Sequence, residues 1–145
     1  MTVLVQEKNF NLADEINQLK TADGATGAII SFIGIVRGDK YLKALELEHY
    51  PKMTFTALEE IKNKALKKWN LIDVRIVHRF GHLSLGEQIM MVAVAAPHRR
   101  EAFEAADYIM DFLKSRAPFW KKEHGDNGSV WVNANPEDEK SLARW

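Results

Sequence analysis

The sequence predicts an α+β domain with mostly antiparallel strand pairing. Three observations carry this reading. Strand-like segments come in consecutive pairs, a glycine-bearing link of a few residues joins the members of each pair, and segments of helical period stand between the pairs.

Residues 11 to 20 place Leu12, Ile16 and Leu19 on one helical face, and the following TADGATG breaks the pattern with two glycines, so a short first helix is expected. Gly27 to Val36, GAIISFIGIV, is an apolar run rich in isoleucine and too short for a stable helix. It reads as a buried strand, with Arg37 standing at its end. After Gly38 and Asp39 the stretch Leu42 to Tyr50 alternates, with Leu45, Leu47 and His49 opposite Glu46, Glu48 and Tyr50. It is expected to be the antiparallel partner of the preceding strand.

Pro51 ends that strand. Thr56 with Glu59 forms a capping-box pattern for a second helix running to about Trp69, whose Ala57, Ile61, Ala65 and Trp69 share a face. Two strands, Asp73 to Phe80 and Gln88 to Ala95, follow as a hairpin through GHLSLGE. From about His98 to Lys114 the apolar set Ala102, Phe103, Ala106, Ile109, Met110 and Leu113 marks the clearest helix of the chain. Pro118 closes it, and FWKKEH joins SVWVNA through GDNG, whose Asn-Gly pair signals a tight hairpin. Alternation then puts Lys121 and Glu123 on one face. The last ten residues, PEDEKSLARW, read as a polar tail or short helix.

At 145 residues and 46% hydrophobic content the chain holds one core, so residues 1–145 are read as a single domain. Its 20 basic and 20 acidic side chains cancel, which removes the global field that would draw it to nucleic acid or to an anionic membrane. No apolar run approaches the ~20 residues of a membrane span. The N-terminal MTVLVQEKNFNLADE lacks the basic start and apolar centre of a signal peptide, so a cytoplasmic location is expected. There is no cysteine, hence no disulfide, thiolate nucleophile or thiolate metal site. The five histidines, His49, His78, His82, His98 and His124, form no compact ligand motif, and no metal or other cofactor is expected. His49 and His78 fall on apolar strand faces and read as core histidines. Dinucleotide, nucleotide-phosphate and serine-hydrolase motifs are absent from the sequence.

The segment MDFLKSRAPFWKKE concentrates Lys114, Arg116, Lys121 and Lys122 among aromatic residues and proline. Lysines held together or against apolar walls lose part of their preference for the charged form, which allows a nucleophile. Lysines that stay charged bind phosphate or carboxylate instead. A solvated helix end whose cations complement the dipole has the same composition. PHRREAFEA sets His98, Arg99 and Arg100 at the start of the long helix, where cations oppose the dipole and an anion would be welcome. Arg37 beyond its strand serves solubility or binding equally well.

Taken together and in order, FIGIVRG, LEHYPKM, VHRFGHLSLGE, PHRREAFEA and LKSRAPFWKKE resemble the large, catalytic subunit family of molybdopterin synthase, over about Gly27 to Trp145. The resemblance implies an α/β-hammerhead fold with antiparallel sheets. It also implies a sulfurtransferase that delivers two sulfurs to cyclic pyranopterin monophosphate to make the dithiolene of molybdopterin. The sulfur would arrive as the C-terminal thiocarboxylate of a small ubiquitin-like subunit, which accounts for an enzyme of sulfur chemistry without a thiol. Carried over by position, Lys114 lies beside the inserted tail and Lys121 near the substrate. Arg37, His98 and Arg99 bind substrate, Ile35 and Val36 line the pocket through backbone, and Lys122 and Glu123 complete the binding segment. The loop GDKYLK after Arg37 is shorter than in many members of that family.

His98 and Arg99 begin the helix that ends near Lys114. Fifteen residues at ~1.5 Å each separate Arg99 from Lys114 by roughly 22 Å, too far for one small pocket. A site shared across a two-fold interface resolves this and predicts a homodimer, in agreement with the family's heterotetramer of two large and two small subunits. Two other readings weigh less: a noncatalytic module that grips a ubiquitin-like tail, and an unrelated lysine enzyme working through a Schiff base.

Overall fold

The computed structural model describes residues 3–19, 23–38, 41–133 and 135–145. In chain order the elements are β1 (Val3–Gln6), α1 (Leu12–Asn17), β2 (Ala28–Ile35), β3 (Leu42–His49), α2 (Pro51–Lys68) and β4 (Asp73–Arg79). There follow β5 (Gly81–Ser84), β6 (Gln88–Ala96), α3 (Arg99–Arg116), β7 (Phe119–Gly125), β8 (Gly128–Val132) and α4 (Pro136–Ser141), which a short 3₁₀ turn, Leu142–Arg144, extends. The α+β class is as expected, and all strand pairs but one are antiparallel.

The strands form two sheets of four, ordered β1-β4-β6-β2 and β5-β3-β7-β8. The first is covered on both faces, and the period of two sorts its side chains. Val74 and Ile76 with Met90, Val92 and Val94 point to α2 and α3, where Leu58, Ile61, Ala102 and Ile109 complete the main core. Val77, Met91, Ala93 and Ala95 point the other way, onto Phe10, Leu19 and α1. Asn11 caps α1 through Asp14 N, and Arg75 Nε donates to Glu15 Oε2 at 2.5 Å, fastening that helix to β4.

Several expectations are corrected. β3 pairs with β5 and β7, not with β2. The reason lies in its alternation: a sheet covered on both faces would bury Glu46 and Glu48, whereas the second sheet leaves one face to solvent. β2 is an edge strand rather than a buried one, paired only to β6, with Ile29, Phe32 and Ile35 39%, 41% and 46% exposed. The second helix starts five residues before Thr56, at Pro51, where a fixed φ and a missing N–H suit the first helical position. Thr56 is therefore interior and exposed, and no side chain caps that end. On α3 the apolar face is as predicted except at Phe103, which is 59% exposed.

The β4–β6 hairpin is also less simple than its spacing implied. Gly81, at φ 90, takes a left-handed conformation that turns the chain out of the first sheet, and the four residues from Gly81 to Ser84 become β5, an edge of the second. β1, which pairs in parallel with β4, has no counterpart in the sequence reading. The Asn127–Gly128 hairpin is present, with Gly128 at φ 106. Asp39 and Lys40 of the short loop after Arg37 lie outside the described residues.

Candidate active site

The two sheets meet at the C-terminal end of α3, and that seam contains a small cavity of about 70 Å³. Leu45 and Leu47 of β3, Met90 of β6 and Phe119 of β7 give it apolar walls; Lys114, Lys121 and His78 supply its nitrogen atoms. Among the described residues no carboxylate lines it.

The local chain explains how the lysines meet. Pro118 disfavours helical geometry at Ala117, which is extended at φ −75 and ψ 127, so α3 stops at Arg116 with Lys114 in its last turn. The chain reverses at once into β7, where Lys121 sits opposite Leu47. By alternation Lys121 shares a sheet face with Phe119 and Glu123. Two cations seven residues apart thus approach from a helix end and a strand.

Their proximity has an electrostatic cost. Burial pushes the Lys114 ammonium below the usual lysine range, the positive charge of Lys121 and a hydrogen-bonding interaction with it push the same way, and Asp138 opposes them. Lys114 therefore gives up its proton more readily than an ordinary lysine. Because it can be an amine beside a cation, the pair can hold an anionic tail, exchange a proton or present a nucleophile.

His78 belongs to the same wall. It is 5% exposed, its ring stacks on Phe119 at 3.7 Å and 15°, and Nδ1 lies 2.8 Å from Arg79 O. Burial pulls its pKa down to about 3, with smaller contributions from Lys114 and Lys121, so the imidazole is neutral at ordinary pH. The core reading of His78 holds. What the sequence did not disclose is that its neighbours include both lysines, because Phe119 and Lys114 come from segments dozens of residues away. His49 is part-buried beside Phe80 and shares a hydrogen bond of 3.0 Å with Thr54 Oγ1.

The other predicted site residues are dispersed. Ile35 is 46% exposed; Val36 is buried and its backbone is engaged, donating to Glu87 O and accepting from Gly86 N, each at 2.9 Å. Arg37 is exposed three residues beyond Gly34, which lines the cavity. Lys122 points to the opposite face of β7, 5.2 Å above the Trp131 ring. Glu123 borders a separate surface depression with Tyr41 and Gly125. His98 and Arg99 are exposed at the far end of α3 from Lys114, as the spacing required. One chain therefore brings together Lys114 and Lys121 and leaves His98 and Arg99 apart. Arg116 is engaged by Glu139 at 2.8 Å.

Among the described residues no group of three or more histidine, aspartate or glutamate side chains is arranged to hold a metal ion, and no helix is long and apolar enough to cross a membrane.

Residues 5–116 match the family model described as MoaE protein. A molybdopterin synthase catalytic subunit from Caulobacter vibrioides is 53% identical over 146 residues, covering 100% of this chain and 97% of its own. One from Cereibacter sphaeroides is 49% identical over 146 residues, covering 100% of both. The solved molybdopterin biosynthesis MoaE protein from Burkholderia ambifaria superposes with a TM-score of 0.86 at 46% identity, over 99% of this chain and 97% of that one.

Proposed function

The chain belongs to the MoaE family of molybdopterin synthase catalytic subunits, and from that premise we propose that sulfur transfer takes place at the Lys114–Lys121 cavity. The activity is that of a sulfurtransferase acting on a pyranopterin. In our reading the donor is the C-terminal thiocarboxylate of a small ubiquitin-like subunit, and the acceptor is cyclic pyranopterin monophosphate. The observation that carries the assignment is the pair of amines in a pocket that, among the described residues, no carboxylate lines. An extended tail ending in an anion fits such a pocket, since nothing in the lining repels it and the nitrogens neutralise it.

Lys114 orients the thiocarboxylate, and its readiness to lose a proton lets it accept one from the water that attacks the carrier's acyl carbon, so that the carbon–sulfur bond breaks, the sulfur stays on the pterin and the carrier leaves as a carboxylate. Lys121 stabilises negative charge that develops on the substrate or passes a proton to it. With no cysteine in the chain, the sulfur travels on the carrier alone. In this reading Arg37, three residues beyond the cavity-lining Gly34, binds substrate with Ile35 and Val36 beside it, and Lys122 and Glu123 contribute from outside the cavity, on the other face of β7 and at the neighbouring depression.

His98 and Arg99 reach substrate from a second copy of the chain. The length of α3 is the argument: they and Lys114 stand at its two ends. The working unit is then a homodimer of this single catalytic domain, carrying one small subunit on each copy, in the cytoplasm.

The test is reconstitution with the thiocarboxylated small subunit and cyclic pyranopterin monophosphate, with dithiolene product quantified as its fluorescent oxidised derivative. Product is expected, and Lys121→Ala is expected to abolish it. Tight binding of the small subunit without product would replace the enzyme reading with a noncatalytic tail-binding module.

A further inference from the structure

Gly34 has no part in the mechanism above, and a glycine at its position calls for a reason. It stands in β2, where glycine adds no packing and loses more backbone freedom on folding than any other residue. Elsewhere in the chain the fold supplies the reason. Four of the eight glycines take a positive φ, and at Gly27, Gly38 and Gly125 a β-carbon would come within 2.2, 2.5 and 2.4 Å of Pro97 O, Leu85 Cδ2 and Tyr41 O. Gly34 alone meets neither condition. Its φ lies outside the left-handed region, and a β-carbon there would stand 3.5 Å from Met90 Cγ and Sδ and 3.7 Å from Phe32 Cε1, in ordinary van der Waals contact. The β2–β6 register shifts just after it, between Gly34 and Ile35, but with no left-handed residue that would demand glycine. The fold would accept alanine here.

What alanine would change is the cavity. Gly34 lines it, and so does Met90, its cross-strand partner on β6. Alternation sets residue 34 on the same face of the sheet as Ala28 and Ile30, which pack toward the main core. An added methyl would therefore stand beside the Met90 side chain, in the space that Lys114 and Lys121 also border. At about 70 Å³ that space takes only a few groups the size of a water molecule, so one methyl removes a large share of it. The walls cannot retreat to restore it, because Leu47 and Met90 are each 1% exposed and close-packed in the core.

We propose that Gly34 is a specificity-determining residue of this site: by leaving its stretch of the wall bare, it gives the end of the carrier's tail the room to bring the thiocarboxylate up to Lys114 and Lys121. The inference rests on the assignment of this cavity as the sulfur-transfer site. Gly34 acts through the volume it leaves free and through no bond of its own. Since the fold does not require glycine at this position, stability and function oppose one another there.

Gly34→Ala tests this through two readouts. Its thermal melting is expected at or above the parental Tm, because alanine restricts the unfolded chain while the folded one accepts the methyl. In the reconstituted assay, kcat/KM for the thiocarboxylated small subunit is expected to fall about tenfold, the scale of loss when a reacting group is held slightly short of its place. A variant that melts well below the parent overturns the proposal, since the glycine then serves the fold. A stable variant with parental kcat/KM overturns it as well. The parent separates the two levels of inference: an unsubstituted protein that transfers no sulfur removes the functional assignment and this proposal with it, whereas an active parent with an equally active variant removes the proposal alone.

Discussion

The imidazole of His78 and the ring of Phe119 lie 3.7 Å apart and within 15° of parallel, which ties the last residues of β4 to the first residue of β7 and so joins the two sheets beside the lysine pair. This contact leads to the first prediction. The unfolded chain protonates His78 near pH 6.5, the folded one only near 3, so between those values the unfolded state binds more protons. Stability contributed by the neutral imidazole is complete above about pH 6.5 and is lost as pH falls toward 3. By pH 5 the loss is on the order of 2 kcal/mol. Chemical denaturation of the parent and of His78→Phe at pH 7 and pH 5 measures it; the variant is expected to lose about that much less.

A second expectation concerns Lys114. Burial is the first cause of its lowered pKa and Lys121 the second, so Lys121→Met should raise the Lys114 pKa part of the way back and leave it below the usual lysine value. The pH dependence of Lys114 acylation by a small amine reagent, followed by peptide mass spectrometry, reports this shift. An unchanged pH profile would mean that the two amines do not sense one another.

The closing turn of the chain is a third point of test. Trp145 meets Trp69 and Tyr108 edge-on at 5.7 and 5.5 Å, and its Nε1 donates to Asp111 Oδ2 at 2.6 Å. Arg144 Nη2 adds a bond of 2.8 Å to Asp107. Trp145→Ala removes a half-buried indole and leaves Asp111 with one donor fewer, at a cost of about 2–3 kcal/mol. Thermal melting should fall by several degrees, with sulfur transfer below the transition retained, since Trp145 does not line the cavity.

Subunit complementation addresses the shared site. If His98 and Arg99 serve the cavity of the other copy, an equimolar mixture of Lys114→Ala and Arg99→Ala proteins, dissociated and reassembled, forms mixed dimers in which one site of two is intact. Random assortment restores about a quarter of the parental turnover, whereas each variant alone is inactive. A mixture no more active than its components would place all site residues within one copy.

Much of this was legible in the chain. The long helix, the Asn127–Gly128 hairpin and the two central strands of the first sheet follow from periodicity and turn chemistry, because their signals are local. The lysine pair was legible for the same reason: Pro118 fixes the bend between Lys114 and Lys121 within seven residues. Strand partnership was not. β3 stands a short loop after β2, yet belongs to another sheet, since pairing is decided by which faces are covered. β5 hid inside what read as a turn, and β1 inside a segment with no turn chemistry to frame it. His78 showed its burial in the apolar pattern around it, but its closeness to Phe119 and Lys114 depends on how the sheets meet, for which no single window of residues holds a signal.

The cavity is walled by residues that the chain supplies from both its halves: Leu47 and His78 precede α3, and Phe119 and Lys121 follow it. In a growing or unfolded polypeptide Lys114 has none of these neighbours and is an ordinary, fully protonated lysine. Its lowered basicity arises from burial at the seam of the sheets and from the nearness of Lys121 on β7, and both need the fold in place. Reactivity at this position is therefore a property of the finished tertiary structure, and a newly made chain is kept chemically quiet until folding ends.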